Sequence, residues 1–299
     1  MEGGIHGTTH RPVLLAETIG MLAVVPGGVY VDGTLGLGGH SREILERCAP
    51  DGRVVAFEWD EAAIAQSETA LAPFRERLII VRRNFQEIDT GLAEAGYDTV
   101  NGIMIDIGLS SLQLDSGDRG FSFRFDEPLD MRMDRRRTLT AATLLASATE
   151  QEIADIFYYF GEEKQARRIA GYLVEERRHQ AITTTGQLAE LVARAVPKPF
   201  HPPKIHVATK VFQALRIAVN DELTNLGRFL DRAVHHLLPG GRLCVISFHS
   251  LEDRIVKRAF AGAAELTVLT KKPIVPGRQE IGANPRSRSA RLRVAERLA

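Results

Sequence analysis

The chain has 299 residues, 44% hydrophobic and 25% charged, with 38 basic residues balancing 38 acidic ones. That length suits one full α/β domain plus a smaller unit, and the zero net charge argues against a general nucleic-acid coating protein. No apolar run approaches the roughly 18–20 residues that span a bilayer, and Met1 to His10 lacks the basic-then-apolar pattern of an export signal, so a cytoplasmic protein off the membrane is expected.

In chain order, the first block alternates short apolar runs with helical periodicity. It predicts a strand over Gly28–Asp32, a glycine loop, a helix from His40, a strand over Arg53–Glu58 and a helix over Ala62–Ala72. A strand over Leu78–Val81, a short helix near Ile88–Ala95 and a strand over Gly102–Asp106 follow. Continuous apolar strands of this kind belong to a parallel sheet covered on both faces. The alternation predicts a doubly wound α/β sheet.

The middle, from about Leu112 to Lys204, opens with an aromatic and arginine-rich loop. It continues into helical patterns at Glu150–Phe160, Glu162–Arg178 and Thr185–Val196, where apolar residues recur at 3–4 spacing. Thr183–Thr185 marks a helix start, and Pro197, Pro199, Pro202 and Pro203 an exit. A helical insertion is expected there. Helix Thr209–Asn220, a second helix up to Leu238, strand Arg242–Ser247, helix Leu251–Phe260 and a late strand at Ala290–Ala295 resume the α/β pattern. The expected division is therefore 1–111, 112–204 and 205–299. Cys48 and Cys244 stand far apart in apolar segments and are expected as small buried hydrophobes. The spacing of histidine and cysteine suggests no metal site.

The sharpest local signal is Val31-Asp32-Gly33-Thr34-Leu35-Gly36-Leu37-Gly38-Gly39-His40. A strand ending in a carboxylate runs into a glycine turn and straight into a helix, and the next strand ends in Glu58, placed to accept ribose hydroxyls. A dinucleotide prefers G-x-G-x-x-G with its pyrophosphate on the helix N-terminus. Here the glycines run G-x-x-G-x-G-G, and Asp32 would repel a pyrophosphate. S-adenosylmethionine carries cationic sulfonium and ammonium groups instead, so the same carboxylate favours it. Phe85 could stack on an adenine, and Asp106 ends the fourth strand, at the edge where open sheets hold ligands. Phe85 as a core aromatic and Asp106 as a helix cap are the plainer alternatives.

Longer blocks carry a family likeness. They are His10-Arg11-Pro12-Val13-Leu14-Leu15, Ile105 to Asp115 (IDIGLSSLQLD), Arg119-Gly120-Phe121-Ser122-Phe123 and Pro128 to Asp134 (PLDMRMD). Phe212 to Ile217 (FQALRI), Val219 to Leu223 (VNDEL), Ser247 to Arg254 (SFHSLEDR) and Asn284 to Ser289 (NPRSRS) complete them. Over nearly its whole length the chain resembles the RsmH (older name MraW) family of small-subunit rRNA methyltransferases. The resemblance implies a class I, Rossmann-like methyltransferase sheet with an inserted helical substrate-recognition domain. It implies N4-methylation of a cytidine in the decoding centre of 16S rRNA, with S-adenosylmethionine as donor and the small ribosomal subunit as partner, and it leaves a homodimer open. The family's cofactor contacts fall on Gly38, Gly39, His40, Glu58, Phe85, Asp106 and Gln113. The family usually has Asp where this chain has Glu58.

An exocyclic cytosine amine is a poor nucleophile, so its nitrogen must be aligned with the methyl–sulfur bond while an acceptor draws on an N–H. DNA amino-methyltransferases place Pro-Pro-aromatic after an acidic or amide residue there. This chain has Asp106-Ile107-Gly108-Leu109, and Asp106 is the expected catalytic residue. Phe121, Phe123 and Phe248 are candidates to stack the base, although Phe121, Phe123 and Phe125 also alternate as one face of a strand would. His249 is a candidate substrate contact, with a structural role as the alternative. Arg132, Arg135, Arg286 and Arg288 are candidates for RNA phosphates. The last two lie in Lys271–Ala299, which holds eight basic and two acidic residues. A nicotinamide-dependent oxidoreductase shares the glycine loop but lacks a hydride-transfer constellation. A non-catalytic RNA-binding assembly factor would not need the complete loop and Asp106.

Overall fold

A computed structural model describes residues 12–108 and 117–299. The chain divides into two compact units, one made of Met1–Gly108 with Asn225–Ala299 and the other of Leu109–Thr224.

The first unit is built on a seven-stranded sheet. Strands β1 (Val29–Asp32), β2 (Arg53–Phe57), β3 (Leu78–Val81), β4 (Val100–Asp106) and β5 (Leu237–Ser247) are joined by β6 (Leu266–Val268) and β7 (Arg291–Arg297). Their order is β3-β2-β1-β4-β5-β7-β6. The first five run parallel, while β7 is antiparallel to both β5 and β6. Strand side chains alternate between faces, and both faces are apolar. Odd-numbered Val31, Val55, Phe57, Ile103, Ile105, Leu243 and Val245 enter one cluster. There they meet helix α4 (Ile88–Ala95), helix α10 (Glu222–Ala233) through Phe229 and Leu230, and helix α11 (Ser250–Gly262) through Val256 and Phe260. Even-numbered Tyr30, Val54, Ala56, Met104, Cys244 and Ile246 enter the other, against α1 (Leu15–Leu22) and α2 (Gly39–Arg47). Cys48 and Cys244 are both buried and unbridged, as the apolar context implied. Helix α3 (Glu61–Ala70) connects β2 to β3. Strand β6, only three residues long, had no counterpart in the sequence reading.

The second unit is helical: α5 (Ala141–Ser147), α6 (Glu150–Gly161), α7 (Ala166–Glu176), α8 (Thr185–Ala195) and α9 (Thr209–Asn220). Thr140, Thr149 and Thr184 each cap a helix in a reciprocal capping box, with Thr143, Glu152 and Gln187 respectively, satisfying amides that a helix start leaves orphaned. The expected boundary at 204 is displaced to Thr224. Helix α9 was expected with the resumed sheet pattern, but its Val211, Phe212, Ala214, Leu215 and Val219 complete the core formed by Phe157, Ile169, Leu173, Leu188 and Val192. An apolar helix face does not announce whether a sheet or another helix covers it. Among the described residues no helix is long and apolar enough to cross a membrane.

Candidate active site

The parallel strands bring their carboxyl ends to one edge. Register pairs Asp32 with Ala56 and with Met104, and Asp106 with Ile246. The turn after β1, Glu58, Asp106 and Phe248 therefore follow neighbouring strand ends.

Asp32 is buried and both its oxygens are engaged: Oδ1 accepts from Thr34 N at 3.1 Å and Oδ2 from Ser41 Oγ at 2.7 Å. Burial raises its pKa, against the lowering pull of His40 and these hydrogen bonds. The carboxylate therefore shapes the turn and ties it to the first turn of α2, rather than standing open beside a ligand as its place in the sequence suggested. Gly33 N donates to Met104 O and Leu35 N to Phe57 O, pinning the loop to β4 and β2. A side chain at Gly33 would run into Ile105 and Phe85. Gly38, at φ +80°, turns the chain into α2, a conformation glycine adopts without penalty. Gly39 and His40 open the helix, and the buried His40 holds Val13 O through Nε2 at 3.0 Å.

Glu58 reaches back over this loop. Its Oε2 accepts from Gly36 N at 3.0 Å, and its Oε1 accepts from Trp59 N and Asp60 N, each at 3.0 Å. Burial pushes its pKa up to about 7 despite these donors. The half-buried Phe85 meets Phe229 edge-on, with centroids 5.3 Å apart. Asp106 receives Gly108 N on Oδ1 at 3.0 Å, and its own N–H donates to Thr34 Oγ1 at 2.6 Å. Burial lifts its pKa to about 6, with His40 opposing and Asp32 and Glu252 adding. Thr34, which joins the loop to β4 in this way, was not singled out from sequence. Its signal was the Asp-x-Thr spacing of an Asx turn.

Phe248 lies beside Asp106. A side chain at Gly108 would meet the Phe248 ring at 2.7 Å and Asp106 Oδ1 at 3.1 Å, so ring and carboxylate flank that glycine. His249 does something else. Its Nδ1 accepts from Glu252 N while Glu252 Oε2 accepts from His249 N, a capping box at the start of α11. Its Nε2 stands 2.9 Å from Glu252 Oε1 without hydrogen-bond alignment. This geometry favours the structural role for His249 over substrate contact.

The candidate RNA contacts of the helical unit are placed differently from the expectation. Phe121 is buried in the helical core, and Phe123 packs against His206 and Phe212, each at 4.8 Å. These rings fill a core inside an irregular loop, with no strand there. Arg132 grips Asp130 with two nitrogens at 2.6 and 2.8 Å and also donates to backbone oxygens of Arg135 and Arg137. Arg135 pairs with Asp118, Arg136 with Asp134 and Arg137 with Asp221. The basic knot is thus matched carboxylate for guanidinium, and its phosphate-binding role loses its electrostatic ground. Arg286 and Arg288 are exposed on the turn Pro285–Ser289, immediately before β7. Gln113 lies outside the described residues.

The loop can be tested against its two candidate ligands. A pyrophosphate would need the free amides of the turn, yet the Gly36 N–H is already held by Glu58. A donor bearing ribose hydroxyls and positive charge meets carboxylates at Glu58 and Asp106 and an aromatic edge at Phe85, so the residues fit S-adenosylmethionine. The strand order agrees, because β7 enters antiparallel between β5 and β6 where the dinucleotide-binding order 3-2-1-4-5-6 has none. The chain is a class I S-adenosylmethionine-dependent methyltransferase. It belongs to the MraW methylase family, whose pattern it matches over residues 7–298. It is 62% identical over 289 residues to the ribosomal RNA small subunit methyltransferase H of Desulfotalea psychrophila, covering 97% of this chain and 98% of that one. It is 53% identical over 289 residues to the protein of the same name from a Cyanothece species, covering 97% and 95%.

Proposed function

We propose that this enzyme methylates N4 of a cytidine in the decoding centre of 16S rRNA, acting in the cytoplasm on the small ribosomal subunit. The observation that carries the reading is the flanking of Gly108 by the Asp106 carboxylate and the Phe248 ring, at adjoining strand ends next to the glycine loop. A flipped base needs a ring or apolar wall to lie against and an acceptor for its exocyclic N–H, and these two side chains supply both. The names of the relatives support small-subunit rRNA as substrate, and the family blocks support the cytidine.

When bound, S-adenosylmethionine would supply an electrophilic methyl group to the amine nitrogen, with the methyl–sulfur bond breaking to leave neutral S-adenosylhomocysteine and one amine proton released to water. Glu58 would hold the ribose through its carboxylate oxygens, and Phe85 would border the adenine. Asp106, with a pKa of about 6, is ionised at neutral pH and accepts from the amine. That hydrogen bond aligns the nitrogen and raises its electron density as the methyl bond forms. Phe248 would fix the base plane. The helical unit is assigned to substrate recognition. Incubation with radiolabelled donor and small subunits from a strain lacking this gene, followed by nucleoside mass spectrometry, should show N4-methylcytidine. Absence of label, or label on another nucleoside, would contradict the assignment.

A further inference from the structure

The residues Pro12 to Leu14 lie between two functional segments and touch both. On one side Pro12 packs on Gly39 so closely that any side chain there would collide with it, and Val13 O takes the His40 Nε2 contact. On the other side Leu14 N donates to Glu280 Oε1 at 2.8 Å, across 266 residues of sequence. Leu14 itself is left-handed, at φ 50° and ψ 36°, a conformation uncommon for a residue with a side chain and kept only where its surroundings impose it. Thr18 N bonding to Leu14 O, the Glu280 carboxylate on Leu14 N and the burial of the Leu14 side chain in the sheet core are the local restraints.

Glu280 sits on α12 (Arg278–Ala283), which leads directly into the turn bearing Arg286 and Arg288. That turn is rigidly built: Ser287 is buried, its Oγ donates to Asn284 O at 2.8 Å, and Asn284 Oδ1 accepts from Arg286 N at 3.2 Å. Arg291, two residues past the turn, pairs in register with Ser247, the residue before Phe248. The arginine turn is therefore anchored both to the tip of β5 and, through Glu280, to the strap over the cofactor loop.

We infer that Glu280 is a positioning residue that couples RNA phosphates on the Arg286–Arg288 turn to the grip of the Gly38–His40 segment on the methyl donor. The inference rests on the proposed RNA methylation for its ligand. Phosphates drawn to the turn hold α12 in place, Glu280 then holds Leu14 in its strained conformation, and Val13 stays on His40. Without the Glu280 acceptor, Leu14 relaxes and the loop loosens. Linkage makes the effect reciprocal: bound donor tightens RNA by the same factor.

The test is calorimetry of S-adenosylhomocysteine with the full chain at fixed salt, with and without a single-stranded oligoribonucleotide. In the unaltered protein the oligonucleotide should tighten S-adenosylhomocysteine by roughly five-fold or more, the lower end of usual coupling. In Glu280→Ala the ratio should fall to about one. Glu280→Gln, which keeps an acceptor oxygen, should retain the coupling, whereas Glu280→Leu, which keeps the bulk without an acceptor for Leu14 N, should lose it. Measurable S-adenosylhomocysteine binding by each variant reports that it has folded. An unchanged ratio in Glu280→Ala, or no coupling in the unaltered protein, would overturn the inference. Methyl transfer to subunits is read separately, so loss of that activity assignment and loss of this coupling are distinct results.

Discussion

Glu58 links the pH of the solution to donor binding. Its carboxyl is pushed up to about 7 by burial, so between about pH 8 and about pH 6 its ionised fraction falls from roughly nine-tenths to one-tenth. Ribose hydroxyls are donors to the ionised form, so the affinity for S-adenosylhomocysteine should weaken about ten-fold over that interval. Glu58→Gln removes the titration. A single amide oxygen cannot serve both Gly36 N on one side and Trp59 N and Asp60 N on the other. Replacing charge-assisted hydrogen bonds to two hydroxyls by neutral ones loses about 1 kcal/mol each, or roughly 30-fold in affinity at about pH 8. Stability runs the other way. The folded chain keeps a proton that the unfolded chain releases above its ordinary value near 4.5. The stability this group lends the ligand-free protein is therefore fully present below that value and is lost as pH rises through about 7, by at most about 3 kcal/mol. Isothermal calorimetry across the interval, alongside thermal unfolding, measures both trends. An affinity flat with pH in the unaltered protein, or an equal slope in Glu58→Gln, would refute the reasoning.

Asp106→Asn should lower single-turnover methyl transfer by roughly 10²–10⁴-fold while leaving RNA affinity nearly intact, and transfer by the unaltered enzyme should decline as pH drops through about 6. Equal losses in transfer and RNA binding would contradict the assigned role. Gly33→Ala places a methyl against Ile105 and Phe85 and should cost about 1–3 kcal/mol in thermal or denaturant unfolding, with weaker donor binding. Arg132→Ala should destabilise the protein by about 1–3 kcal/mol by stripping Asp130 of its partner, with the salt dependence of RNA binding unchanged. Arg288→Ala should leave stability alone and reduce the slope of log K against log salt by about 1.

The parallel strands were legible because both faces of the sheet are covered, so residues 29–31, 54–57 and 78–81 read as unbroken apolar runs. The glycine turn and Glu58 were legible because few sequences join a strand, a tight turn and a helix without spacer. Three features were not. The partner of α9 could not be read, since its stripe suits any apolar surface. The arginines of 132–137 read as a basic patch because three of their carboxylate partners, Asp118, Asp130 and Asp221, lie outside that run. Phe121 and Phe123 read as exposed platforms or one strand face, because an irregular loop that feeds a distant helical core has no periodicity to give it away.

The first unit is assembled from two stretches of chain separated by the whole of Leu109–Thr224. When β4 is synthesised, its neighbour β5 does not yet exist, and at about 5–20 residues per second it arrives roughly 6–25 s later. The helical unit is contiguous and can settle during that wait, while one flank of β4 stays unpaired. The nascent chain therefore passes through a stage with a naked, apolar sheet edge of the kind that invites aggregation. Slow translation or a destabilised helical unit should harm yield by prolonging that stage, even with every active-site residue intact.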